Sequence, residues 1–190
     1  MTTHTSAPAR EKLLEAAGRL FYAGGMTATG IDTITAEAGV AKKSLYNNFR
    51  SKADLALAYL EARHTEWLDL YSHRLARAST PEQRVLAVVD AYLDHARLPY
   101  THGFRGCGLL NAAAELPAGS PGREAVRRHK EEVEALLAGH LAEAQAADPQ
   151  GTAEHVAFLL EGAMSRAGLE GSDEPLVRAR QIAAHLVGLR

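Results

Sequence analysis

The stretch Ile31 to Ala53 constrains this chain more tightly than any other. Ile31, Ile34 and Ala38 stand at i, i+3 and i+7, the spacing of one face of a short helix. Leu45 and Phe49 stand at i and i+4 on a second helix, and Val40 precedes them to close the corner. Between the two runs lies Ala38-Gly39-Val40, where a glycine enters the left-handed region without a Cβ clash. Two short helices about a glycine turn make a helix-turn-helix, whose second helix ordinarily lies in the major groove of DNA.

The outward face of the second helix suits that use. With Leu45 and Phe49 turned inward, Lys43 and Asn47 point away, and Lys42, Ser44, Tyr46 and Asn48 flank them. Lysine ammonium groups and the hydroxyls of Ser and Tyr bond phosphate oxygens. Asparagine pairs bidentately with adenine, and lysine reaches the acceptors of guanine. No acid lies on this face. A solvated helix face is the plainer reading of any one such residue; here the turn, the buried pair and the cations coincide.

Residues 38 to 55, Ala-Gly-Val-Ala-Lys-Lys-Ser-Leu-Tyr-Asn-Asn-Phe-Arg-Ser-Lys-Ala-Asp-Leu, resemble the signature of the TetR/AcrR transcriptional regulators, A-G-V-S-x-G-T-L-Y-x-H-F-x-S-K-x-x-L. Gly39, Val40, Leu45, Tyr46, Phe49, Ser51, Lys52 and Leu55 match it. Ala41 replaces the usual Ser, Lys43 a frequent Gly and Asn48 a frequent His. Ala41 forgoes a cap and a phosphate contact, and Lys43 and Asn48 bear on operator preference. The resemblance implies double-stranded DNA as partner, read by Thr29, Thr33, Lys42, Lys43, Ser44, Tyr46, Asn47, Asn48 and Lys52. It also implies DNA contact by the polar residues 1–8.

Composition agrees on class. A chain of 190 residues, 46% hydrophobic, rich in Ala and Leu and poor in β-branched runs, reads as all-α. The net charge of −2 excludes a uniformly basic nucleic-acid binder, but the charge is uneven. Residues 1–60 hold seven Lys and Arg against five acids, and residues 61–190 hold 14 against 18. A mildly basic head on an acidic body suits a DNA reader whose body binds something else. The single Cys107 excludes an intramolecular disulfide, and no stretch reads as a signal peptide or a membrane span. The expected location is the cytoplasm.

The expected architecture is about nine helices: a three-helix helix-turn-helix DNA-binding domain over residues 1–51 and a helical ligand-binding and dimerisation domain over 52–190. The first helix spans about Ala9 to Ala23, with Leu13, Ala16, Ala17 and Leu20 inward and Gly24-Gly25 to stop it. Thr29 and Gly30 are candidates to cap the second. Ser51-Lys52-Ala53-Asp54 resembles a capping box, opening a long helix to about Arg77 that joins head to body. Thr80-Pro81-Glu82-Gln83 opens the next helix, which ends before Pro99. A short buried helix over Gly106–Leu116 and helices over about 122–146, 152–167 and 174–189 follow.

A ligand site needs apolar walls and a few placed polar groups. The candidates are Trp67, Tyr71, Tyr92, His95, Phe104, Cys107, Leu110, Asn111, Glu115, His129, Val133 and Phe158, for a small apolar or aromatic effector. Asn111 and Glu115, at i and i+4, are candidate polar groups, though each taken alone reads as plainly as a surface or satisfied core residue. The resemblance pairs the last two helices with their copies in a homodimer, through Val156, Leu160, Ala163, Met164, Ala167, Ile182, Leu186 and Leu189. The alternative is that both stripes cover the chain's own core. Two heads about a DNA turn apart would read a palindromic operator. No phosphate-binding glycine loop, H-E-x-x-H or G-x-S-x-G is present, so neither enzyme, cofactor nor metal is expected. A helical carrier or enzyme with an unused helix-turn-helix corner is the competing reading; it has no need of the cations beside Asn47.

Overall fold

The computed structural model describes residues 8–188, and helices are the only regular elements among them. They are α1 (Ala9–Gly24), α2 (Ile31–Glu37), α3 (Lys42–Asn48), α4 (Lys52–Leu75), α5 (Pro81–Ala96), α6 (Gly108–Glu115), α7 (Pro121–Glu143), α8 (Pro149–Glu170) and α9 (Glu174–Leu186). The chain divides into two compact units, Met1–Ala62 with Leu109–Ala125, and Arg63–Gly108 with Val126–Arg190. Residues 1–7 of the expected DNA-contacting tail, and Leu189 of the expected dimer face, lie outside the described residues.

The first unit is built on the stripes expected of it. Leu13, Ala16, Ala17 and Phe21 of α1, Ile34 of α2, and Leu45 and Phe49 of and after α3 are all buried. Gly25 ends α1 at φ +88° and Gly39 makes the turn between α2 and α3 at φ +63°. Ser51 caps α4 by accepting from Asp54 N at 3.1 Å, and the Asp54 carboxylate accepts from Arg50 N at 3.1 Å. The unit extends past residue 51 because Leu55, Tyr59 and Leu60 of α4 are buried, with the Tyr59 ring edge-on to Phe21 at 5.5 Å. Most of α6 belongs to it as well.

In the second unit α5, α8 and α9 pack on one another. Thr80 caps α5 by accepting from Gln83 N at 3.3 Å. Arg180 pairs with Asp90 at 2.5 Å and Arg97 with Asp173 at 2.6 Å, joining α9 and its start to α5 and its end. Helix α8 begins ahead of the expected Thr152, because Asp148 accepts from Gly151 N at 3.0 Å and Pro149 takes the first position. It closes at Gly171, φ +63°.

The dimer expectation needs correction on α8. Val156, Leu160, Ala163, Met164 and Ala167 are buried within this one chain, where α8 packs on α5 and α9. The apolar residues left exposed are Phe158 (62%) and Leu169 (85%) on α8, with Ile182 and Leu186 on α9. Among the described residues no helix is long and apolar enough to cross a membrane.

Candidate nucleic-acid interface and interior cluster

Helix α3 carries Leu45 inward, with no exposure, and turns Lys42, Lys43, Tyr46, Asn47 and Asn48 outward. Ala41 precedes it without a side-chain cap. The outward residues are not equivalent. Lys42 Nζ pairs with Asp32 of α2 at 2.8 Å, and that hydrogen bond and charge raise the Lys42 pKa above the ordinary lysine value. The Asn48 amide donates to Ser44 O at 2.8 Å, one turn back. Lys52 Nζ donates to Thr27 O at 3.2 Å. Lys43 and Asn47 have no such partner among the described residues and present their full donor sets to the outside. Thr33 is exposed on α2.

Thr29 departs from the expectation. It is 7% exposed, and its hydroxyl donates inward to Gly25 O at 2.7 Å, so it ties the α1–α2 turn rather than facing DNA. That turn is also held from α6. Glu115 accepts from Met26 N at 3.0 Å and from Thr27 N at 2.7 Å. The Thr27 bond, the largest cause, acts with the Met26 bond to draw the Glu115 pKa below the ordinary carboxylate value, against burial, which is second in size. A Cβ on Gly25 would stand 2.8 Å from Glu115 Oε1, so a glycine there admits the carboxylate. Glu115, a pocket candidate by sequence, is exposed and braces the DNA-binding unit instead. Its spacing shows a helix face and nothing of a partner 88 residues away. Asn111 is likewise exposed, and Leu110 lies in this first unit. Arg50, with Asp54 at 2.9 Å, is a strongly exposed cation just ahead of α4, outside the run of α3 that sequence singles out.

The second unit gathers most of the remaining pocket candidates. Trp67 stacks on Tyr71 at 5.7 Å, tilts against Tyr92 at 5.5 Å and meets His129 edge-on at 5.5 Å. His95 meets Phe104 edge-on at 6.4 Å, and Cys107 is buried. Burial chiefly, helped by the Arg63 and Lys130 charges, lowers the His95 pKa to about 4. Burial, then Lys130, brings His129 to about 3, so both rings are neutral at pH 7. His129 Nδ1 lies 2.9 Å from His64 Nδ1, a hydrogen bond in which one ring donates and the other accepts. Phe158 is absent from this group, being exposed. The group also contains residues that sequence reasoning missed, among them His64 and Lys130; the Lys130 Nζ lies 5.5 Å from the Tyr92 ring centroid and 3.5 Å from Glu161. Burial disfavours the Lys130 ammonium, but Tyr92, Cys107 and Glu161 outweigh it and hold the pKa above the ordinary lysine value. No cluster of three or more His, Cys, Asp or Glu suited to a metal occurs among the described residues.

Comparison with known proteins adds the lineage of both units. The model for bacterial regulatory proteins of the tetR family matches residues 13–59, and that for the tetracyclin repressor-like C-terminal domain matches residues 81–183. The crystal structure of SCO4454, a TetR-family transcriptional regulator from Streptomyces coelicolor, superposes with a TM-score of 0.87 at 31% identity, covering 95% of this chain and 94% of that one. The transcriptional regulator AcuR of Cereibacter sphaeroides is 32% identical over 161 residues, 80% of this chain and 73% of its own. The transcriptional activator FasR of Mycolicibacterium smegmatis is 41% identical over 86 residues, 45% of this chain but only 39% of its own length.

Proposed function

The chain belongs to the TetR family of bacterial transcriptional regulators, and from that premise we propose that it acts as a ligand-released repressor, a homodimer on a palindromic operator. The observation that carries this reading is α3: an acid-free outward face with Lys43 and Asn47 uncommitted, set by a buried Leu45. Asn47 reads base edges and Lys43 reaches either a guanine or a phosphate. Lys42, Lys52 and Tyr46 bind phosphates, the two lysines already oriented by Asp32 and Thr27 O. The second copy docks on the exposed apolar residues of α8 and α9, Phe158, Leu169, Ile182 and Leu186. Phe158, Gly162, Ser165 and Leu169 form one outward stripe at i, i+4, i+7 and i+11, with a glycine and a serine at its middle that permit close helix approach.

A small molecule with an apolar or aromatic body occupies the interior of the second unit among Trp67, Tyr92, His95, Cys107 and His129. Helix α4 is continuous from Lys52 to Leu75, so it carries a change in one unit into the other. The effector moves the equilibrium only by its differential affinity for the DNA-competent and released states. Selection of bound fragments from a random DNA pool at near-physiological salt tests the reading. A recovered palindrome supports a sequence-specific dimer, and its half-site spacing gives the distance between heads. Absence of enrichment, with binding only at low salt, would reduce the helix-turn-helix to a structural corner.

A further inference from the structure

We infer that the interior of the second unit is a site for a small organic carboxylate, with Lys130 and Trp67 as its hydrogen-bond donors. This deepens the effector reading above and rests on it.

Two buried donors at the Tyr92 ring lack a hydrogen-bond acceptor, whereas the buried acceptor Glu66 Oε2 faces Arg63 Nη1 at 2.8 Å. Lys130 Nζ is buried and makes no well-formed hydrogen bond among the described residues. Trp67 Nε1, which can only donate, is buried in the same condition. Both stand at the Tyr92 ring: Trp67 with ring centres 5.5 Å apart, Lys130 Nζ 5.5 Å from its centroid. Glu161 offers Lys130 one contact, at 3.5 Å, from a carboxylate that is itself 37% exposed. That contact serves one of three N–H bonds at the far end of hydrogen-bonding range and does nothing for Trp67.

A buried cation and a buried indole N–H are both costly without acceptors. A neutral apolar occupant would leave both unmet. A carboxylate carries two oxygens, one for each donor, and gives Lys130 a second anionic partner beside Glu161. Its organic body would lie against Trp67, Tyr92 and the neutral His129, flat walls that favour an unsaturated or aromatic group.

The test uses the full-length chain. Trp67 is its single tryptophan, so intrinsic fluorescence reports from the site itself. Propionate, benzoate and phenylacetate are titrated, each against its own amide, which keeps the body and removes the charge. At least one carboxylate should change the emission saturably and bind at least about tenfold tighter than its amide, the margin of one hydrogen bond to a charged group. Lys130→Met should abolish that preference while leaving amide affinity unchanged. The variant should melt at or above the wild-type temperature, since replacing a buried charge by an apolar chain of similar length is neutral or stabilising. Amides that bind as tightly as carboxylates, a preference that survives Lys130→Met, or no saturable response to any of the three acids would overturn the inference. DNA release on the selected operator separates it from the effector reading. A carboxylate that binds without releasing DNA leaves the site standing and removes the effector role. Release by the amides alone keeps the effector role and removes the carboxylate site.

Discussion

Replacing Glu115 by Gln tests whether α6 holds the DNA-binding unit in shape. The carboxylate accepts two backbone N–H bonds, from Met26 at 3.0 Å and Thr27 at 2.7 Å. Glutamine keeps one carbonyl oxygen and turns an NH2 group toward the other donor, so one bond is lost and the remaining one loses its charge. Bonds to charged acceptors are worth about 1.5–3 kcal/mol when buried. Glu115 is exposed, and water competes for the freed N–H, so about 1–2 kcal/mol is the expected cost after discounting for solvent. For a chain of this size that lowers Tm by about 2–8 °C. The pH dependence sharpens the test. The folded-state pKa of Glu115 lies below the unfolded value, so its stabilisation is complete above the ordinary 4.5 and is lost as pH falls through the folded value. Thermal melts of both proteins should therefore differ fully at pH 7 and converge as the pH falls through the depressed folded-state value, below which the wild type also carries an uncharged group. Equal melting temperatures at pH 7, or a gap unchanged at low pH, would refute the brace.

On the selected operator, Asn47→Ala should relax sequence preference, whereas Lys52→Ala should weaken specific and random DNA alike and flatten the salt dependence by about 0.9 for each phosphate left unneutralised; equal effects of both changes on both DNAs would oppose these roles. Gly168→Ala places a Cβ 2.3 Å from Gly106 N and 2.6 Å from Arg105 C, backbone that cannot rotate away. It should cost about 3 kcal/mol, the upper end for overpacking, whereas Gly139→Ala on open α7 should stabilise by about 0.5–1 kcal/mol; calorimetry of the two checks both signs. Phe158→Asp together with Leu169→Glu should give a monomer by light scattering, where the proposed reading expects a dimer of the unaltered chain, without changing far-ultraviolet circular dichroism, because neither side chain serves the chain's own core.

The helix-turn-helix was legible because every determinant in it is local. Ile34, Leu45 and Phe49 are buried at the spacings that announce them, and Gly39 has the positive φ its turn requires. Capping was legible for the same reason at Thr80 and Ser51. What stayed hidden are partners brought by the fold from far along the chain. Asp32 occupies Lys42, and Glu115 reaches back to Thr27. Thr29 has the type and place of a cap at a helix start but gives its hydroxyl to the preceding turn, a choice that propensity at one position does not decide.

An apolar stripe states that a face is buried and leaves open what buries it. On α8 the stripe Val156, Leu160, Ala163, Met164 and Ala167 suited a second copy and this chain's own α5 and α9 equally, and the fold chose the latter. The opposite face then carries the interface argument, since Phe158 and Leu169 are exposed without any core to serve. On α7 the same logic works in reverse. Val126, Lys130, Val133, Leu137 and Leu141 repeat at i, i+4, i+7, i+11 and i+15, so the lysine occupies a core position inside what reads as a charged run from Arg127 to Glu132. A cation at a stripe position is costly unless something meets it. Glu161 meets it only in part, at 3.5 Å, and the unpartnered Trp67 Nε1 belongs to the same interior. Lys130 is therefore the residue at which the chemistry of the occupant is decided, and its place in the stripe is the sequence signal that points to it.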